Sequence, residues 1–246
     1  MTEQILRIRV EDLTKTFIKR RSHEFKEALV WLFSGRRKEL TKSFDALKNI
    51  ALDVHSGESV ALLGLNGSGK STLLKLISGV LKPDNGRVLL GGSLAGLIEV
   101  GAGFHQDLTG RENIFLNGAI LGMSEDEIKE KYDEIVEFSE IGDFMETEVR
   151  FYSSGMYLRL AFSVAVHTNP DIFLVDEILA VGDEPFQKKC IAKIKQLSAA
   201  GKTLIVVSHD LDLVASVCNR GVVLKSGEMV FDGEIYSAIK TLREAN

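Results

Sequence analysis

The segment Gly64-Leu-Asn-Gly-Ser-Gly-Lys-Ser-Thr72 carries the clearest chemical signal in the chain. Its spacing is G-x-x-x-x-G-K-[ST], the pattern of a loop that cradles phosphate. Gly64, Gly67 and Gly69 allow backbone N–H groups to turn inward with no Cβ in the way. Asn66, Ser68 and Thr72 fall inside the same motif. Lys70 supplies a point charge for the β- and γ-phosphates, and the Ser71 hydroxyl can ligate Mg²⁺. A helix opening near Lys70 would point its positive end at the anion. Further on, the apolar run Ile172-Phe-Leu-Val175 ends in Asp176-Glu177. Such a pair alone says little, since strands often end in acidic turns. Beside a phosphate loop, Asp176 would hold Mg²⁺ and Glu177 would polarise an attacking water as general base. His209 follows the next apolar run, Thr203–Val207. Its imidazole can donate to an anionic oxygen and so sense a γ-phosphate.

These residues need a scaffold that brings them together. Ser59–Gly64 is a short apolar run feeding the glycine-rich turn. Ser71–Leu81 follows, with Leu73, Leu74, Leu76, Ile77 and Val80 at helical spacing. Ile172–Val175 and Thr203–Val207 read as parallel strands buried on both faces. Val222–Phe231 reads as a hairpin turning at Ser226-Gly227, and Glu125–Phe138 and Met156–His167 carry long helical patterns. The alternation predicts an α/β domain, with 105–165 as helices inserted between two parts of its sheet. Ligands of open α/β sheets bind outside the carboxyl ends of strands. Gly64, Asp176 and His209 all fall at such ends.

Composition limits what else the chain can be. Its 246 residues can bury a sizeable core, and 45% hydrophobic with 26% charged is ordinary for a globular protein. Three prolines exclude a proline-rich disordered chain, and no internal repeat suggests a solenoid. The longest uncharged stretch, Asn113–Ser124, is twelve residues, short of the roughly 20 that a spanning helix needs. Met1–Val10 contains Glu3, Arg7 and Arg9 and no signal-peptide run, so a cytoplasmic location is expected. Cys190 and Cys218 form no CxxC pair and read as buried thiols. The net charge of −5 conceals an asymmetry. Lys15–Lys42 holds nine Lys/Arg against three Glu, a local +6 that leaves −11 elsewhere. Nucleic-acid binding would call for a basic face across the domain, so no nucleic-acid partner is expected.

Tyr152-Ser153-Ser154-Gly155-Met156 lies 20 residues before Asp176, ahead of a long helix. With the other motifs in series, the chain resembles the ABC-type ATPases. Their signature loop, usually Leu-Ser-Gly-Gly-Gln, occupies this position. Tyr152, Ser154 and Met156 depart from it, while Ser153 and Gly155, expected to meet the γ-phosphate, are kept. Ala180-Val-Gly-Asp183 matches the family's D-loop, which implies Asp183 as a nucleotide-binding residue, and His209 matches its switch histidine. The resemblance implies an α/β fold: a P-loop NTPase (RecA-like) core with antiparallel β elements and an inserted helical subdomain. The implied divisions are 1–98 with a basic insertion at 18–43, then 99–167, then 168–246. It further implies ATP and Mg²⁺ as ligands, and two copies sandwiching two ATP, with Ser153 and Gly155 acting across the dimer. Glu99 best matches the Mg²⁺-meeting residue of the loop joining core to helices, with Gln106 as the alternative. Phe17 matches the aromatic that stacks on adenine, and Phe44 is its rival.

Leu97-Ile-Glu-Val-Gly-Ala-Gly-Phe-His105 and Leu108-Thr-Gly-Arg-Glu-Asn-Ile114 narrow the likeness to ATP-binding subunits of bacterial O-antigen and teichoic-acid exporters. That implies a multi-span membrane permease as partner, a lipid-linked glycan contacted mainly by the permease, and a peripheral place on the cytoplasmic face of the inner membrane. Some members add a carbohydrate-binding domain after the ATPase; a chain closing at Asn246 is expected to lack it. Another cargo, such as a drug or peptide, is the first alternative reading, and a soluble non-transport ABC ATPase the second. Within the basic insertion, Ser22–Phe33 reads as an amphipathic helix, with Phe25, Ala28, Leu29 and Leu32 on one face. Lys19, Arg20 and Arg21 precede it, and Arg36, Arg37 and Lys38 follow, a charge pattern suited to anionic headgroups or to the permease.

Overall fold

The computed structural model describes residues 5–20, 41–96, 101, 103–176 and 183–244. Glu99, Glu177, Ala180–Gly182 and the expected Ser22–Phe33 helix lie outside the described residues.

Two sheets form the frame. Strands β1 (Leu6–Arg20), β2 (Thr41–His55) and β4 (Asn85–Leu90) make an antiparallel sheet in the order β2-β1-β4. The second sheet adds β3 (Ser59–Leu63), β5 (Leu94–Gly96), β6 (Ile172–Val175), β7 (Thr203–Val206), β8 (Arg220–Lys225) and β9 (Glu228–Glu234). Its order is β5-β6-β7-β3-β8-β9, parallel except for the β8–β9 hairpin. Strands β3, β6 and β7 are buried at every position, which explains their unbroken apolar runs. The β8–β9 turn falls at Ser226 and Gly227, both in the left-handed region (φ 51° and 82°), as a tight hairpin turn requires.

Side-chain alternation divides the core between the two faces of this sheet. Val60, Leu62, Leu174 and Ile205 face helix α1 (Lys70–Ile77) and the inner face of the antiparallel sheet. Ala61, Leu63, Phe173 and Val206 face α5 (Glu184–Ala199), α6 (Leu211–Val217) and α7 (Ile235–Glu244). Between β5 and β6 the chain leaves the sheet and forms α2 (Gly110–Ile120), α3 (Glu125–Ser139) and α4 (Ser154–His167). Ile114, Ile128, Ile135 and Leu160 give these helices an apolar cluster of their own. Thr109 with Glu112, and Ser124 with Glu127, form capping boxes that fix where α2 and α3 begin.

Two expected boundaries are corrected. Helix α1 ends at Ile77 rather than Leu81, because Gly79 turns left-handed (φ 77°) and Leu81 N bonds back to the Lys75 carbonyl. The β1–β2 pairing continues to Arg20↔Thr41, so the segment between these strands is 21–40 rather than 18–43. Cys190 and Cys218 are buried free thiols, as expected, and burial raises both to a pKa of about 12. No helix among the described residues is long and apolar enough to cross a membrane.

Candidate functional site

Register brings the chemistry to one edge. Ala61, Val206 and Val175 lie in one row across β3, β7 and β6. The chain therefore leaves these strands side by side, into Gly64, Ser208-His209 and Asp176. Asp176 is half-buried at the end of β6, and His209 is exposed beyond β7. The next residue, Asp210, caps α6 by accepting from the Asp212 and Leu213 amides at 3.0 Å each.

The glycine-rich loop is built to its shape by its surroundings. At Gly64 an added Cβ would lie 2.4 Å from the Leu224 carbonyl oxygen and 2.5 Å from Ser68 Oγ. At Gly69 (φ 112°) it would lie 2.6 Å from the Ala46 carbonyl oxygen and 2.7 Å from Leu47 Cδ2. Gly67 (φ 77°) meets nothing within 4 Å, which leaves the mouth of the loop open. The hairpin turn braces the loop from behind: Gly227 N donates to the Ser68 carbonyl at 3.0 Å, and Lys48 N to the Gly227 carbonyl at 2.8 Å. Lys70 is 6% exposed, and its Nζ donates to the Gly64 and Leu65 carbonyls at 2.7 and 3.1 Å. Ser68 Oγ is buried with no hydrogen-bond partner, and no side chain caps the start of α1. Asn66 is exposed at the loop's rim, Ser71 is exposed on the first turn of α1, and Thr72 is half-buried behind it. A buried orphan hydroxyl, uncapped amides and a clustered ammonium are the groups an anionic phosphate would satisfy. For a divalent ion the donors on offer are the Ser71 hydroxyl and Asp176. Among the described residues no cluster of three His, Cys, Asp or Glu could hold a metal. Two hard oxygen donors without a full cage suit Mg²⁺ carried in on phosphates.

Phe17 and Phe44 prove to be direct cross-strand partners, with ring centroids 5.8 Å apart. The two alternatives for a base-stacking ring are therefore one aromatic pair. It stands two residues from Ala46, whose carbonyl abuts Gly69.

Ser153 is exposed and caps α4, its Oγ accepting from the Met156 amide at 3.2 Å, with half-buried Gly155 on the same turn. Tyr152 points the other way. Its hydroxyl donates to the Phe144 carbonyl at 2.7 Å, and burial raises its pKa to about 12. A Cβ on Gly110 would lie 2.1 Å from that hydroxyl oxygen, so the glycine at the start of α2 makes room for this ring. Gln106 lines a groove with Arg150, Tyr152, Ser153 and Tyr157. The phosphate loop lines a separate one, with Val223–Ser226 and Leu242. The two grooves have no lining residue in common.

Three residues escaped the sequence reading. Asn113 is fully buried; it accepts from His105 N at 2.7 Å and donates to the His105, Leu108 and Thr109 carbonyls at 2.9–3.1 Å. It shapes the loop entering α2. Tyr157 donates to the Gly101 carbonyl at 2.5 Å, and its ring fills the space a Cβ on Gly101 would need. Arg159 bonds Asp183 at 2.5 Å and Glu140 at 2.8 Å. An asparagine amid apolar residues on a helix was the one available hint; the other two partnerships are distant in sequence.

A family profile described as ABC transporter matches residues 47–180. The ABC transporter protein AbcA of Aeromonas salmonicida is 51% identical over 78% of this chain and 63% of that protein. The O-antigen export system ATP-binding protein RfbB of Myxococcus xanthus is 44% identical over 100% and 57%. The teichoic acids export ATP-binding protein TagH of Listeria innocua is 45% identical over 78% and 57%. The chain thus spans about 57–63% of the length of these relatives. Among solved structures, a dimeric ATP-binding cassette in a post-hydrolysis state bound to ADP and Pi is similar at a TM-score of 0.71. It is 25% identical, covering 93% of this chain and 98% of that one.

Proposed function

The chain belongs to the ABC transporter family, and from that premise we propose that it is the ATP-hydrolysing subunit of an exporter that moves a lipid-linked polysaccharide across the cytoplasmic membrane. The observation that carries the ATPase reading is the braced loop with buried, unpartnered Ser68 Oγ and an open mouth at Gly67. The cargo reading is supported by the relatives named for O-antigen and teichoic-acid export.

In this reading the loop amides from Gly64 to Gly69 and the Lys70 ammonium hold the β- and γ-phosphates. Lys70 exchanges its bonds to the Gly64 and Leu65 carbonyls for phosphate oxygens. The Phe17–Phe44 pair supports the base. Ser71 and Asp176 hold Mg²⁺, which when bound neutralises charge on the phosphates; Glu99 is the third oxygen donor proposed. Gln106, on the groove beside Ser153, is the weaker choice for that role. Glu177 takes the proton from the attacking water, and His209 donates to the γ-phosphate. The separate grooves of the phosphate loop and the Ser153 loop favour two copies, each offering Ser153 and Gly155 to the other's nucleotide. Asp183 is tied through Arg159 to the helix that begins at that loop. A multi-span permease would receive the motion, with this subunit peripheral on the cytoplasmic face. We take 1–98 and 168–246 as the core and 99–167 as the helical part.

The test is substitution at two positions with two readouts. Lys70→Ala should lose tight ATP binding. Glu177→Gln should keep it and form an ATP-bound dimer that turns over at least about 100-fold more slowly. In cells, Glu177→Gln should leave lipid-linked glycan on the cytoplasmic side. Turnover surviving in the Gln variant would remove Glu177 from its role. Normal surface glycan in its presence would discard the cargo.

A further inference from the structure

Arg159 occupies a position none of the motifs accounts for. It lies six residues beyond Ser153 on α4, about 9 Å along the helix axis. Its side chain is 18% exposed, and its guanidinium is committed on three sides. One nitrogen donates to Asp183 Oδ1 at 2.5 Å and another to Glu140 Oε2 at 2.8 Å. Its plane stands 4.8 Å from the centre of the fully buried Phe186 ring. Glu140, the left-handed residue that ends α3, also receives Lys189 Nζ at 3.0 Å. Lys189 in turn bonds the Phe138 carbonyl at 3.1 Å and rests over the Phe138 ring. Asp183 is the N-cap of α5 and Lys189 lies in its second turn. The four charges close a circuit from α5 to the end of α3, to α4, and back to α5.

We infer that Arg159 and Asp183 form one positioning unit. Asp183 serves the site by locking α5 to the Ser153-bearing helix and does not itself touch nucleotide. The chemistry favours this assignment. A carboxylate offers only acceptor oxygens, which phosphate repels, and one of these is already taken by a guanidinium. An arginine held between two carboxylates and an aromatic face has little freedom, so it transmits position where a lysine would not. The consequence for the proposed engine is specific. Ser153-Gly155 and the start of α5 belong to the same copy, and both would face the nucleotide held by the other copy. Their mutual spacing must suit closure of the pair, and Arg159 sets that spacing.

This inference rests on the two-copy reading above, and its test separates the two. Arg159→Ala, Asp183→Ala, the double variant and Arg159→Lys would be compared with the unmodified full chain for kcat, KM for ATP and Tm. Each alanine variant should lower kcat about tenfold with KM for ATP within about twofold, since the phosphate loop is untouched. The double variant should be no worse than the poorer single, because the pair acts as one. Arg159→Lys, which keeps a charge and the fold, should hold Tm but recover only part of kcat. Multiplying losses, near a hundredfold in the double variant, would overturn the unit. So would a KM rise at Asp183→Ala, which would return that residue to the nucleotide. A fall in Tm with kcat unchanged would reduce the circuit to a fold-stabilising one. If Lys70→Ala keeps its turnover, the ATPase reading itself fails, whatever the Arg159 variants do.

Discussion

At the scale of single residues, identity and spacing settled most of what could be said about the phosphate loop. The motif is local: all its members fall within nine residues. What braces the loop was not legible, because Leu224, Gly227 and Ala46 arrive from distant strands. Asp171 shows the same thing in a charged group. Its carboxylate accepts from Ser93 N and Ser93 Oγ and pairs with Arg7 at 2.8 Å, tying β1 to the turn before β6. The Ser93 amide bond, first among these, holds its pKa below the ordinary 3.8. A depressed folded-state pKa gives stability that is present above the unfolded value and is lost as pH falls through the folded one. Asp171→Asn should therefore melt earlier than the parent at pH 7. The gap should narrow as pH drops below about 4, measured by thermal melts across pH.

At the scale of elements, type was easier to read than boundary. The buried strands were evident from continuous apolar runs, and the hairpin from Ser226-Gly227. The end of α1 was misjudged because Val80 and Leu81 continue the apolar spacing, while Gly79 breaks the backbone regardless; Val80 is left 59% exposed. The Phe17-or-Phe44 choice arose because strand pairing across an intervening segment cannot be seen in periodicity. The loop entering α2 depends on Asn113, whose partners are all main-chain atoms, so no pairing rule would have found it. Asn113→Ala would take away the acceptor of the His105 amide, while the His105, Leu108 and Thr109 carbonyls keep main-chain donors from Leu108, Val149 and residue 113. It should cost about 2 kcal/mol in urea unfolding, with α2 losing protection in hydrogen exchange before the core strands.

At the scale of the whole molecule, the architecture explains why residues so far apart in the chain can work together. Parallel strands β3, β6 and β7 open at one edge, and helices α2–α4 leave from between β5 and β6. Asp176 and His209 follow strands of the sheet, while the Ser153 loop sits on helices with their own apolar cluster. That division suits the proposed engine, in which the two parts would shift relative to one another. The inserted helices were legible in the alternation of elements, whereas a second copy was expected only through family likeness, since composition and periodicity speak of one chain.

The pairing of Arg20 with Thr41 has a consequence for how the protein can be taken apart. Directly opposed residues of an antiparallel pair are about 5 Å apart at Cα, so the 20 residues from 21 to 40 depart and return at nearly one point. Such a segment is interchangeable in principle: an Asn-Gly turn of two residues can close the same gap. The shortened chain should keep its melting temperature within a few degrees and its ATP turnover. If glycan export then stops, work specific to the cargo resides in a removable cassette, and related exporters could be re-targeted by exchanging it. Turnover lost with the segment would mean instead that the cassette is part of the engine.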